Sequence, residues 1–194
     1  MNTHNSLSRS AAKLSLGILS LLTIPLIAMQ FTQEVNWTLS DFIFAGVLLF
    51  GTGFTYLFIT QKSMNLVYKA AIAFALLSGL FLIWVNLAVG IIGSENNPFN
   101  LLYFGVIAVG MIGALIAKFE SQKLVYTMFS MAFATALVGL IALFTSMHQV
   151  PGSSVIEVLA VNGLFITIFT MSALLFRFAA SEQTGDIENG KTVG

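Results

Sequence analysis

Residues 91–100 read IIGSENNPFN, which sets a carboxylate, three asparagines and a proline between two long apolar runs. Oxygen-rich groups of this kind suit hard cations and draw positively charged ligands. Related groups recur along the chain. Glu34, Asp41, Glu95 and Glu157 have no Lys or Arg beside them, and Asn96, Asn97, Asn100 and His148 fall close to the same apolar boundaries. Asn86 precedes Glu95 by two helical turns, inside an apolar run, and Asn162 is placed similarly in another. An amide within a membrane must find a partner on another helix, and Asn86 and Asn162 could meet. These ten residues form the candidate binding rim. Part of the pattern is turn chemistry: Pro98 fits the first turn of a helix, and asparagines before it can cap exposed amides.

The harder chemistries fall away. A lone His148 does not supply the three or four protein ligands usual for zinc, even with Glu34, Glu95 or Glu157 as oxygen partners. The chain has no cysteine, which removes disulfides and thiolate sites. Every lysine lies near the end of an apolar run, which excludes a retinal Schiff base, and two-histidine haem within the membrane is excluded too. Walker, GxSxG, HExxH and dinucleotide-turn motifs are missing. No catalytic residue, metal or cofactor is assigned, and enzymatic activity has no positive support.

The elements that must carry these residues follow from composition. Of 194 residues, 57% are hydrophobic and 8% charged, against roughly 25% charged in soluble domains; mean hydropathy is +0.93. Apolar runs at about 14–30, 42–60, 66–92, 99–118, 124–147 and 155–179 match the ~17–25 residues a membrane-crossing helix needs. A transmembrane β-barrel would alternate over ~10-residue segments instead. The expectation is an all-α membrane protein, a single six-helix bundle over 1–180 with a disordered tail over 181–194. Arg9, Lys13, Lys62, Lys69, Lys118, Lys123, Arg177 and Lys191 all fall on one side of that topology, so the positive-inside bias places both termini in the cytoplasm. Net charge is zero, which gives no argument for nucleic acid. The first run resembles a signal peptide but lacks a good small-residue cleavage site, and reads as a retained helix with Pro25 near its outer end.

Sliding the chain on itself gives a match near 59 residues. Gly46 and Gly51 fall on Gly105 and Gly110, SMNLVY at 63–68 falls with one gap on SQKLVY at 121–126, and ALIAKF at 114–119 falls on ALLFRF at 173–178. The matched segments share one direction, which predicts three parallel hairpin repeats about a pseudo-threefold axis, with three outer turns converging. Gly46, Gly51, Gly53, Gly105, Gly110 and Gly113 offer small surfaces for close helix approach. Trp37, Trp84 and Tyr103 mark an outer interface, and Tyr56, Tyr68 and Tyr126 an inner one.

The stretch WVNLAVGIIGSENNPFNLLYFG, with QFTQEVNW and DFIFAG before it, resembles a family of small, uncharacterised bacterial inner-membrane proteins. The resemblance covers most of the first four spans and implies bacterial origin and six helices; it carries no activity. Three functions remain. The first is transport or permeation of a cation, polar solute or lipid-like substrate past the acidic and amide rim. The second is a non-catalytic scaffold or accessory subunit of a larger complex. The third is a membrane enzyme with an outer carboxylate and histidine site. The expected partners are the lipid bilayer and either further copies of the chain or another membrane protein.

Overall fold

A computed structural model describes residues 3–33, 35–61 and 63–188, and side chains within 9–185 of that range. Among the described residues every long element is a helix and no strand occurs. The helices are α1 (Thr3–Phe31), α2 (Leu39–Thr60), α3 (Leu66–Ala88), α4 (Leu102–Ala117), α5 (Ser121–Phe144) and α6 (Val155–Glu188). Short 3-10 turns at Pro98–Leu101 and Met147–Gln149 precede α4 and α6. All six helices are long and apolar enough to cross a membrane, α4 together with the turn before it. That composition and length are compatible with a multi-pass membrane protein.

The chain divides into two compact units, 1–62 and 63–194. In the first, α1 packs on α2. Gly53 is the point of closest approach, since a Cβ there would stand 2.6 Å from Leu14 Cδ1. Pro25 lies inside α1, where its ring removes one helical hydrogen bond. Thr38 and Asp41 form a capping box at the start of α2. The Thr38 amide donates to Asp41 Oδ2 at 2.7 Å, and the Asp41 amide donates to Thr38 Oγ1 at 3.4 Å.

In the second unit the helices neighbour one another in the cyclic order α3, α6, α5, α4, with α3 and α4 touching least. Spacing explains the tight α5–α6 pair. The buried positions of α6 include Val158, Asn162, Phe165, Phe169, Ser172, Phe176 and Ala179, alternating steps of four and three. Those of α5 include Ser121, Leu124, Met128, Met131, Thr135, Val138 and Ala142, stepping by three and four. A mean stride of 3.5 keeps one seam facing a partner helix. Gly139 lies on that seam, where a Cβ would come within 3.0 Å of Asn162 Cγ. Against α3, aromatic rings interlock. Phe81 lies 5.4 Å from Phe165 between centroids, and Tyr68 lies 6.4 Å from Phe176.

Several hydroxyls on the buried faces are tied back to their own helices. Ser78 Oγ donates to the Phe74 carbonyl at 2.6 Å and Thr135 Oγ1 to the Met131 carbonyl at 2.9 Å. The α4–α5 turn is made by Lys118 and Phe119, both left-handed at φ 49° and 60° without being glycine. Such a residue costs about 1–2 kcal/mol. Tyr68 offsets part of this by donating its hydroxyl to the Phe119 carbonyl at 2.7 Å. Tyr68 is therefore a buried brace, not the interfacial anchor its type implied.

Two boundaries differ from expectation. The helix from Leu66 stops at Ala88 instead of 92, because Gly90 turns left-handed at φ 78°. The helix from Val155 runs to Glu188, well into the segment expected to be disordered. That extension has tethers: Ser121 Oγ donates to Gln183 Oε1 at 3.2 Å, and Asn65 Nδ2 donates to Glu182 Oε2 at 3.4 Å. Residues 189–194 lie outside the described range.

Candidate functional site

Four helix ends and two turns build the site. The turn after α3 (residues 89–101) and the turn after α5 (residues 145–154) lie at one end of the second unit, here called the amide end. Lys69, Lys118 and Lys123 lie near the opposite, basic end.

The first turn folds back on itself. Its reversal depends on Gly90, where a Cβ would stand 2.5 Å from the Ser94 carbonyl carbon. Ile91 and Ile92 then point inward and are buried. Their amides leave the helical pattern and need acceptors. Asn100 supplies them: its Oδ1 accepts from the Ile91 amide at 3.2 Å and the Ile92 amide at 3.0 Å. Its Nδ2 donates to the Ser94 carbonyl at 2.8 Å and the Ile92 carbonyl at 3.3 Å. Asn97 adds a cap, with Nδ2 donating to the Ile92 carbonyl at 3.0 Å and Oδ1 accepting from the Phe99 amide at 3.1 Å. From α3, Asn86 Nδ2 donates to the Asn100 carbonyl at 3.1 Å.

Asn86 and Asn100 are each 3% exposed. The expected rim is thus largely an internal clasp. Of the asparagines and the carboxylate in this first turn, Glu95 and Asn96 remain fully outward, joined by Asn96 Nδ2 donating to Glu95 Oε1 at 3.0 Å.

Asn162 takes a different partner from the one expected. Its Oδ1 accepts from the Tyr103 hydroxyl at 3.0 Å, and its Nδ2 donates to the Val158 carbonyl at 2.8 Å. The proposed Asn86–Asn162 meeting is therefore replaced by two separate bonds, because each amide has a nearer backbone or phenol partner. Tyr103 is 1% exposed, so it is a core residue reaching from α4 to α6 and not part of an interfacial belt.

The second turn packs on the first. A Cβ on Gly93 would stand 3.0 Å from Val150 Cγ2, and one on Gly152 would stand 3.6 Å from the Gly93 carbonyl oxygen. His148 lies in this turn with Nε2 3.4 Å from Gln149 Nε2. Ser154 Oγ accepts from the Glu157 amide at 3.2 Å and starts α6, leaving the Glu157 carboxylate exposed. Asp41 belongs to the capping box of α2, and Glu34 lies outside the described residues.

Among the described residues no group of three or more His, Cys, Asp or Glu side chains could hold a metal ion. Three buried polar atoms at the amide end have no hydrogen-bond partner: Asn86 Oδ1, His148 Nδ1 and Ser153 Oγ. What the arrangement does chemically is to close a turn and join α3, α4 and α6. It brings Asn86, Asn97 and Asn100 together and leaves Glu95, Asn96 and Glu157 as exposed polar groups. No protein-family model, curated protein or solved structure matches this chain.

Proposed function

We propose that this chain is a non-catalytic scaffold or accessory subunit of a bacterial cytoplasmic membrane, with both termini in the cytoplasm. The observation that carries this reading is the commitment of Asn97 and Asn100: every polar atom of these two amide side chains serves the turn's own backbone. Residues kept for a solute would leave hydrogen-bonding capacity facing it. The large apolar side chains exposed on α1 and α2, among them Leu16, Leu19, Ile24 and Ile43, fit lipid or the helices of a partner. Cytoplasmic termini follow from the clustering of lysine and arginine at one side.

A repeat of hairpins supports the scaffold reading by giving it a regular frame. Gly93 and Gly152 are 59 residues apart, take left-handed φ of 70° and 77°, and face each other across the two turns. Tyr103 and Asn162, also 59 apart, share one hydrogen bond.

Permeation keeps one specific observation in its favour: Asn86 Oδ1 is buried without a partner, at a cost of about 1–3 kcal/mol. A flux assay separates the two readings. Vesicles carrying the full chain and loaded with ion-sensitive dye should be as tight as empty vesicles, and Glu95→Gln should change nothing. A leak that the protein adds and that Asn86→Leu abolishes would overturn the scaffold reading.

A further inference from the structure

A groove of about 450 Å³ runs between α4 and α5. Val109, Gly113 and Ile116 line it from α4, and Lys123, Tyr126 and Ser130 from α5. Each set recurs at three- and four-residue steps, so each lies along a single helix face. Gly113 sets the depth. A Cβ there would stand 2.6 Å from Thr127 Cγ2, so the two helices approach closely here and Gly113 itself puts no side chain into the valley. Ile116 and Tyr126, both more than half exposed, form the banks.

The polar groups are ordered along the groove. Lys123 is its one charged lining residue and lies at the basic end, with Tyr126 one turn deeper, the small hydroxyls of Thr127 and Ser130 after it, and the apolar α4 wall of Val109, Ile112 and Ile116 alongside. Lys123 Nζ is 2.9 Å from Glu120 Oε2, with both side chains about half exposed, so the ammonium remains open to a second anion. Lys118 follows α4 on the same turn and tips the local balance to positive. An ammonium, a phenol and then hydrocarbon repeat the order of phosphate, ester and acyl chain in a phospholipid. From Val109 to Ala117 the floor is about 12 Å long, enough for the headgroup-proximal part of one chain. Basic pockets between membrane helices recognise anionic headgroups by this chemistry.

We propose that the α4–α5 groove seats one anionic phospholipid, with an acyl chain over Gly113 and its phosphate against Lys123. The proposal rests on the helices crossing a bilayer but not on the scaffold role. It is tested by native mass spectrometry of the full chain in detergent, titrated with equimolar phosphatidylglycerol and phosphatidylcholine of identical chains. One basic residue at the headgroup should give phosphatidylglycerol about a fivefold preference. Lys123→Gln, a change at an exposed side chain, should bring the ratio towards one without altering the unfolding temperature. Ser130→Trp should fill the groove and reduce retention of both lipids. An unchanged ratio in Lys123→Gln, or full retention in Ser130→Trp, would overturn the site. So would a disulfide between two copies carrying Ile112→Cys in vesicles, because protein and not lipid would then occupy the groove.

Discussion

Asn100 uses an asparagine side chain to its limit. The amide offers two acceptor sites and two donors, and all are engaged, with the Ile91 and Ile92 amides on one side and the Ile92 and Ser94 carbonyls on the other. Aspartate would face those carbonyls with a carboxylate, and glutamine would overshoot by a methylene. Asn100→Ala leaves two buried amides without acceptors, so we expect a loss of about 2–4 kcal/mol. Asn96→Ala, at an exposed position, should stay within about 0.5 kcal/mol. Equilibrium unfolding in mixed detergent reads both, and equal losses would remove the clasp from the account. The sequence made the turn legible through Asn97 and Pro98, whose capping roles are local. It did not separate Asn100 from Asn96. Both look like solvent-seeking turn residues until the burial of Ile91 and Ile92 creates a demand for acceptors, and that demand is a tertiary fact.

At the scale of helices, the six long apolar elements were readable because length and continuous hydropathy are strong local signals for a segment able to cross a membrane. Which face each helix turns inward was not. A helix in lipid is apolar on every side, so the contrast that marks the buried stripe of a soluble helix is missing. On α5 and α6 the seam is instead written in size and polarity, with Thr135, Gly139, Asn162 and Ser172 on the buried side. The glycines show the same limit. Sequence treats Gly105 and Gly113 alike, yet a Cβ on Gly105 meets nothing within 4 Å, while one on Gly113 meets the β-branched Thr127. The predicted effects have opposite signs. Gly105→Ala should stabilise by about 0.5–1 kcal/mol through the unfolded chain's lost freedom, and Gly113→Ala should destabilise by about 1–3 kcal/mol through overpacking. Two destabilised variants would mean that Gly105 also faces a neighbour, such as a partner helix in the assembled protein. Gly110→Ala belongs between them, since Met131 can swing its flexible thioether away.

For the whole molecule, sidedness governs every other assignment. Lys69, Lys118, Lys123 and Arg177 lie near one end of the four-helix unit, and Glu95 and Glu157 lie in turns or first turns at the other. The helical order separates the charges, but which end faces the cytoplasm is set by the insertion bias for Lys and Arg. The absence of cysteine makes this measurable without background. Asn96 and Gln122 are exposed polar residues at opposite ends, and neither Asn96→Cys nor Gln122→Cys removes a contact that the fold uses. In intact spheroplasts an impermeant maleimide should label Asn96→Cys, and should label Gln122→Cys only after permeabilisation. The reversed pattern would put the lysines outside, against the bias, and would move the proposed lipid site to the opposite leaflet. Labelling of both positions in intact cells would mean that α4, the one helix between them, does not cross. The topology would then lose its even number of spans, and the two termini could no longer share a side.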